Sequence, residues 1–297
     1  MTTQRLLLID GFNLLSRGYF ATSFNKEPEE LPRNGEGRFT NAVNVFMTKL
    51  FQLIREQNID SVHVSWDGKR NEGFRNQEYD FYKAQRTDLP EPLIDQYHFL
   101  TEILADLQVP QSSAPGYEAD DIMGTLAKRW GNERHGDVIL YSNDRDLFQL
   151  IDEHISQRVA KKKQEVVYDL NLFREEFDLL PSQWVDVKAL LGDSSDNIPG
   201  CPGVGEKSAY PLIRHYESLT GVYKALEADE LDPVFKRYRK NLIEGEELAR
   251  ISYKLATIET QVPDINQMDL DALNIGFSHS QALDLMKRNE LRKPAAF

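Results

Sequence analysis

A single cysteine, Cys201, stands among 297 residues, so no internal disulfide is possible and a reducing, cytoplasmic setting is expected. Long apolar runs are missing as well. The strongest early one, Leu6-Leu7-Leu8-Ile9, stops at Asp10, far short of the ~20 residues that span a bilayer, so no membrane contact is expected. No basic stretch leads into an apolar segment and a small-residue cleavage site near the N-terminus, so no secretory signal is expected. Six scattered histidines form no HExxH pair, which removes the usual zinc chemistry and leaves oxygen as the donor for any metal. Positive charge is also scarce. Against 48 Asp and Glu there are 35 Lys and Arg, and the resulting −13 at face value opposes a nucleic-acid partner, because phosphate is repelled by a negative surface.

What is present is a chain long enough for two modest domains, 40% hydrophobic and without internal repeats. Arg5–Ile9, Ser61–Trp66 and Val138–Tyr141 read as buried strands separated by helical periodicity, the α/β pattern of a mostly parallel sheet. Apolar stripes at Val43, Phe46, Met47, Leu50 and Ile54, and at Leu93, Tyr97, Leu100, Ile103, Leu104 and Leu107, are core faces of helices. After a last strand near 166–168 the texture turns helical. A boundary near 180 divides a domain at 1–180 from a helical one at 181–290. Within the first, 71–92 is charged, aromatic and weakly periodic, a candidate mobile element.

Three strands run straight into acids: Ile9 into Asp10-Gly11, Trp66 into Asp67-Gly68, and Tyr141 into Ser142-Asn143-Asp144-Arg145-Asp146. Parallel strands bring their carboxyl ends to one edge, where ligands of open α/β sheets bind. Glu118, Asp120 and Asp121 open a helix beside them. One such acid is ordinarily a turn former or N-cap. So many in one cleft would repel and stay protonated unless a cation neutralised them. Oxygen donors favour magnesium or manganese, and a pair of such ions about 4 Å apart serves phosphodiester hydrolysis. The loop spacing of an EF-hand calcium site is absent.

The run Gly192–Ala209 carries four glycines between two helical stretches. It is not a P-loop, since Glu206 separates Gly205 from Lys207 and a helix precedes it. A glycine turn feeding a helix start presents backbone N–H groups suited to an anionic backbone, blind to base sequence. Asp193 and Asp196 lie at the end of the preceding helix.

Taken in order, Ile9-Asp10-Gly11, Trp66-Asp67, Phe74-Arg75, Tyr82–Arg86, Gly116–Asp121, Ser142–Gln149 and Gly192–Ala209 make the chain resemble the 5′-nuclease (flap endonuclease) family, most closely the 5′→3′ exonuclease domain of bacterial DNA polymerase I in free-standing form. Ser142-Asn143 in place of Thr-Ala, Arg145 in place of Lys and Trp66 in place of Phe are departures that remove no acid. The resemblance implies a PIN-like nuclease domain with an arch or clamp at 71–92, and a helical domain whose helix-three-turn-helix element at 192–209 grips duplex DNA. It implies an inner metal group of Asp10, Asp67, Glu118, Asp120 and Asp144, and a second group of Asp121, Asp146, Asp193 and Asp196. Lys83 and Arg86, one helical turn apart, would reach the scissile phosphate, and Tyr82 would stack on an unpaired base. Arg17 and Arg75 would orient the 5′ strand, with Gly203, Gly205, Lys207 and Ser208 on duplex DNA and a potassium ion at Gly203 and Gly205.

The activity so implied is a 5′→3′ exonuclease and flap endonuclease using two Mg2+ (or Mn2+) ions on flaps, nicks or RNA primers. A monomer is expected, with a polymerase and a ligase as companions. A non-catalytic structure-specific DNA-binding protein and a PIN-type ribonuclease for single-stranded RNA are the alternatives. Nine of the 48 acids belong to the expected cluster, so much of the −13 excess is concentrated there. The basic footprint is expected locally, along 75–86, 207–214 and 236–240.

Overall fold

The computed structural model describes residues 4–69, 72–162 and 164–293. Six strands form one sheet: β1 (Arg5–Asp10), β2 (Ser61–Ser65), β3 (Gln111–Ser112), β4 (Asp137–Tyr141), β5 (Ile155–Ala160) and β6 (Glu165–Tyr168). Their order is β3-β2-β1-β4-β5-β6, with every neighbouring pair parallel except β5 and β6. The strand order reverses between β1 and β4, and their carboxyl ends carry Asp10 and the Ser142–Asp146 turn. A crevice at this switch point is where such sheets bind ligands.

Alternation along the strands divides the apolar residues between two faces. Leu7, Ile9, Val62 and Val64 pack on one face against α1 (Gly11–Ser23), α2 (Asn41–Gln57) and, after α3 (Phe74–Glu78), α4 (Glu91–Asp106). Leu6, Leu8, Val138 and Leu140 pack on the other against Ile122, Met123, Leu126 and Trp130 of α5 (Ala119–Arg134). β5 escapes a reading of the sequence because its buried positions are Ile155, Gln157 and Val159, with a polar side chain in the middle. Gln157 is buried for a reason: its amide donates to the carbonyls of Ser142 and Asp144, at 3.0 and 2.6 Å, and so braces the acidic turn.

The helical part comprises α6 (Leu170–Phe177), α7 (Trp184–Leu191), α8 (Glu206–Tyr216), α9 (Leu219–Glu227) and α10 (Arg239–Ala256). Phe148, three residues after Arg145, is its keystone. Its ring lies 4.7 Å from Tyr168, 5.7 Å from Phe173, 5.8 Å from Phe177 and 5.3 Å from Trp184, joining the acidic turn after β4 to the helical core. Between α7 and α8 the chain closes a tight loop in which Asp193 and Ile198 exchange both backbone hydrogen bonds, at 2.9 and 2.8 Å. Gly192 and Gly200 flank it with φ of +76° and +66°, and a Cβ on Gly200 would fall 2.5 Å from the Gly192 nitrogen, so glycine is required there.

The expected helical domain ending at 290 does not match the packing. From Ile258 the chain returns to the sheet: Ile258, Val262, Ile265 of α11 (Pro263–Asn266), Leu270 and Leu273 join the α5 side, and Ala282, Leu285 and Met286 of α12 (His279–Arg288) join the opposite core. Local helical periodicity carries no information about which core a helix caps. The segment expected to be mobile is also anchored at its middle, where Tyr82 is buried with Val185, Ile198, Leu255 and Ala256. Asn71, the first residue of that segment, lies outside the described residues.

Phe148→Ala removes the ring shared by both parts and is expected to cost about 3–5 kcal/mol in urea unfolding. A loss below about 1 kcal/mol would show that the aromatic cluster is not what joins them.

Candidate active site

Asp10, Asp67, Glu118, Asp120 and Asp144 line one open cleft of about 1820 Å³, with Lys83 and Arg86 in its wall. Each acid is fixed by the local backbone. Asp10 caps α1, accepting from the Asn13 N–H at 3.0 Å and the Ser142 hydroxyl at 2.9 Å. Asp67 accepts from the Ala119 N–H at 2.9 Å, which ties the end of β2 to the start of α5. Asp120 accepts from the Asp121 N–H and Asp144 from the Asp146 N–H, at 2.8 and 2.9 Å. No base of the chain bonds directly to Asp10, Asp67, Asp120 or Asp144 among the described contacts. Glu118 differs: it accepts from Lys83 Nζ at 2.6 Å and from the Tyr82 hydroxyl at 3.0 Å.

The other four acids are held by the chain's own bases. Asp121 accepts two guanidinium bonds from Arg75, both at 2.8 Å. Asp146 lies 2.7 Å from Lys188 Nζ, which also bonds Asp193. Asp196 accepts from Arg86 at 2.8 Å and lies 3.6 Å from Lys83 Nζ. Lys188 is the residue that sequence reasoning missed. Its signal was a lone lysine in the apolar run Trp184–Leu191, and it is buried.

This order of acids, on a mostly parallel α/β sheet followed by helices, has counterparts among known proteins. A family model for the N-terminal resolvase-like domain of 5′-3′ exonucleases matches residues 5–178, and one for their C-terminal SAM fold matches 179–279. The chain belongs to the 5′-3′ exonuclease family. A 5′-3′ exonuclease of Halalkalibacterium halodurans is 50% identical over 292 residues, 98% of this chain and 96% of that protein. One of Bacillus subtilis is 36% identical over 294 residues, 98% of this chain and 95% of its own. DNA polymerase I of Chloroflexus aurantiacus is 37% identical over 98% of this chain, which spans 30% of that polymerase. Among solved structures, T5 5′-exonuclease with bound zinc ions shares the fold with a TM-score of 0.68 at 24% identity, covering 96% of this chain and 99% of its own. The catalytic core of Rad2 in complex with a DNA substrate does so at 0.59 and 16% identity, covering 97% and 87%.

Several residues of this exonuclease sit differently from expectation. Asp121 is fully buried and, besides Arg75, accepts from the N–H groups of Glu118 and Glu259, at 3.0 and 2.8 Å. With two donors on each oxygen it has no lone pair to offer an ion, although it lies within ligand distance of Glu118 and Asp120. Arg75 is buried against it and also donates to the Thr257 carbonyl at 2.6 Å, so it fastens α3 rather than orienting a strand. Tyr82 is 3% exposed and has no free face for a base. Lys83 and Arg86 are not one helical turn apart, because 80–85 is a chain of turns with Lys83 at φ +52°. They reach the acids all the same. Ser208 is buried with its hydroxyl on the Gly205 carbonyl at 3.0 Å, whereas Gly203, Gly205 and Lys207 are exposed. Arg17 lines the cleft beyond the acids.

Burial and mutual repulsion dominate the electrostatics. Burial, then Asp67 and Asp144, push the Asp10 carboxyl up to about 7. Burial raises Asp67, Asp120 and Asp144 as well, with neighbouring acids adding to it. Burial and Asp144 push Asp146 up to about 7 despite Lys188, while Lys188 and Ser195 outweigh burial and hold Asp193 low. Four carboxylates that resist ionisation, offer only oxygen and show no direct ion pair among the described contacts fit a hard divalent cation. A carboxyl raised in the fold binds its proton there between pH 4 and about 7, where the unfolded chain has released it. The metal-free exonuclease is therefore expected to lose melting temperature as pH rises from 5 to 8, and a divalent cation to restore it most at pH 8. A melting temperature that rises across this window without metal would contradict the assignment.

Proposed function

We propose that this exonuclease hydrolyses phosphodiesters at single-strand/double-strand junctions of DNA, on 5′ flaps, nicks and RNA primers, in replication and repair. The observation that carries the reading is the convergence of five carboxylates on one cleft with Lys83 and Arg86 facing them. Magnesium is the ion this oxygen set suits, with manganese able to replace it. Two such ions supply an activated water and charge neutralisation at the phosphate when bound.

The chain's residues do the rest. Asp10, Asp67, Glu118, Asp120 and Asp144 offer the oxygens of the inner position, and Asp146 and Asp193 those of the second, in place of the Lys188 ammonium. Lys83, bonded to Glu118 and near Asp196, is placed to turn to a phosphate and offset the charge that builds in the transition state. Arg86 has the same reach from the Asp196 side. Tyr82 positions Lys83 through its buried ring and its bond to Glu118. Exposed Gly203, Gly205 and Lys207 offer N–H groups and charge to a duplex backbone. A potassium ion at this hairpin would be held from the Gly203 side, since the Gly205 carbonyl already accepts from Ser208 and Ala209. No helix of the described residues is long and apolar enough to cross a membrane, and a cytoplasmic monomer working beside a polymerase and a ligase completes the reading.

A labelled 5′-flap duplex tests it: cleavage with magnesium and none without is expected, and no magnesium-dependent cleavage would sink it. Asp144→Asn is expected to lose cleavage by at least about 100-fold while still binding the flap. Lys83→Ala is expected to lower kcat by about 10²–10³ with little change in Kd, and unaltered turnover would reduce Lys83 to a structural ion pair.

A further inference from the structure

Beyond the acids, the same cleft continues into a lobe whose charge is of the opposite sign. Five elements meet there: Arg17 from α1, Lys49 from α2, Tyr141 and Arg158 from the paired ends of β4 and β5, and Glu165 from β6. Glu165 is the centre of a single knot. Its carboxylate accepts from the Tyr141 hydroxyl at 2.8 Å, lies 2.8 Å from Lys49 Nζ and 3.5 Å from Arg158 Nη1. The Tyr141 ring is flanked by the Arg17 guanidinium and the Lys49 ammonium, 5.9 and 6.0 Å from its centroid. Arg17 Nη1 and Arg158 Nε are both buried without a hydrogen-bond partner.

A fastening for the edge strand β6 would need one base for one acid. Here two bases hold one carboxylate and a third, Arg17, lies against Tyr141 beside it, and Arg17 and Arg158 leave buried N–H groups unmatched, a costly state unless an anion completes it. Glu165 itself sits where an anion's oxygens would sit, held by Lys49 and Arg158. We propose that this lobe is a phosphate subsite, in which a phosphate of the substrate strand takes the donors of Lys49 and Arg158 that Glu165 now holds, together with the unmatched donor of Arg17. The inference rests on the nuclease reading, because it is the strand cleaved at the acids that brings a second phosphate into the continuous cleft. A 5′-terminal monoester, carrying up to two negative charges, balances the two spare positive charges, whereas an internal diester would satisfy one.

The test is equilibrium binding of flap DNA in an Asp144→Asn background with magnesium, over a salt series, using a 5′-phosphorylated and a 5′-hydroxyl strand. Lys49→Met and Arg158→Gln are each expected to weaken binding about tenfold, for one charge-assisted contact. Each is also expected to flatten the slope of log K against log salt by about 1. Glu165→Gln is expected to act in the opposite sense and tighten binding, because it removes the competitor; a purely structural ion pair predicts no tightening. Losses confined to the phosphorylated strand assign the terminal monoester, and equal losses on both assign an internal diester. Unchanged affinity and slope in both base variants, with melting temperatures that show them folded, overturn the subsite. Magnesium-dependent cleavage by the unaltered chain is read in parallel, so that its absence sinks the nuclease reading separately.

Discussion

The constraint on which the rest depends is that nine carboxylates are drawn toward one edge of a sheet, where they cannot all be charged without cations. The fold solves this in two ways. Asp121, Asp146, Asp193 and Asp196 receive cations from the chain itself, through Arg75, Lys188, Arg86 and Lys83. Among the described contacts Asp10, Asp67, Asp120 and Asp144 receive N–H and hydroxyl donors and no direct ion pair, and burial raises all four. What distinguishes the two sets is the source of the neutralising charge.

Much of the architecture serves that division. Strand order puts Asp10 and Asp144 on either side of the switch point, and Gln157 and Phe148 brace the turn that carries Asp144 and Asp146 from below and behind. The loop closed by Gly192 and Gly200 holds Asp193 and Asp196 against Lys188 and Arg86. Lys83 spans the two sets, bonding Glu118 on one side and approaching Asp196 on the other. The cost of assembling so much like charge is thus spread over backbone donors, four basic side chains and an external ion.

The strands that end in acids, and the acids themselves, were legible because alternation, apolar runs and strand-end position are local properties of the chain. The glycine loop was legible for the same reason. What could not be read were pairings across long sequence distances. Nothing near Arg75 announces that it will saturate Asp121, 46 residues away. Nothing in the run Trp184–Leu191 announces that Lys188 will be buried against Asp146, 42 positions earlier in the chain. Tyr82 carried an aromatic ring beside two bases, which suits stacking in sequence, but α7 and α10 cover it. The return of 258–291 to the sheet was hidden because an apolar helical face specifies burial, not the partner that buries it.

The most direct measurement of this division is calorimetric titration of a divalent cation into three proteins: wild type, Asp120→Asn and Asp193→Asn. The account predicts that the tightest site is lost in Asp120→Asn and kept in Asp193→Asn, where only a lysine-paired acid has been neutralised. Loss of the tightest site in Asp193→Asn with its retention in Asp120→Asn would contradict it.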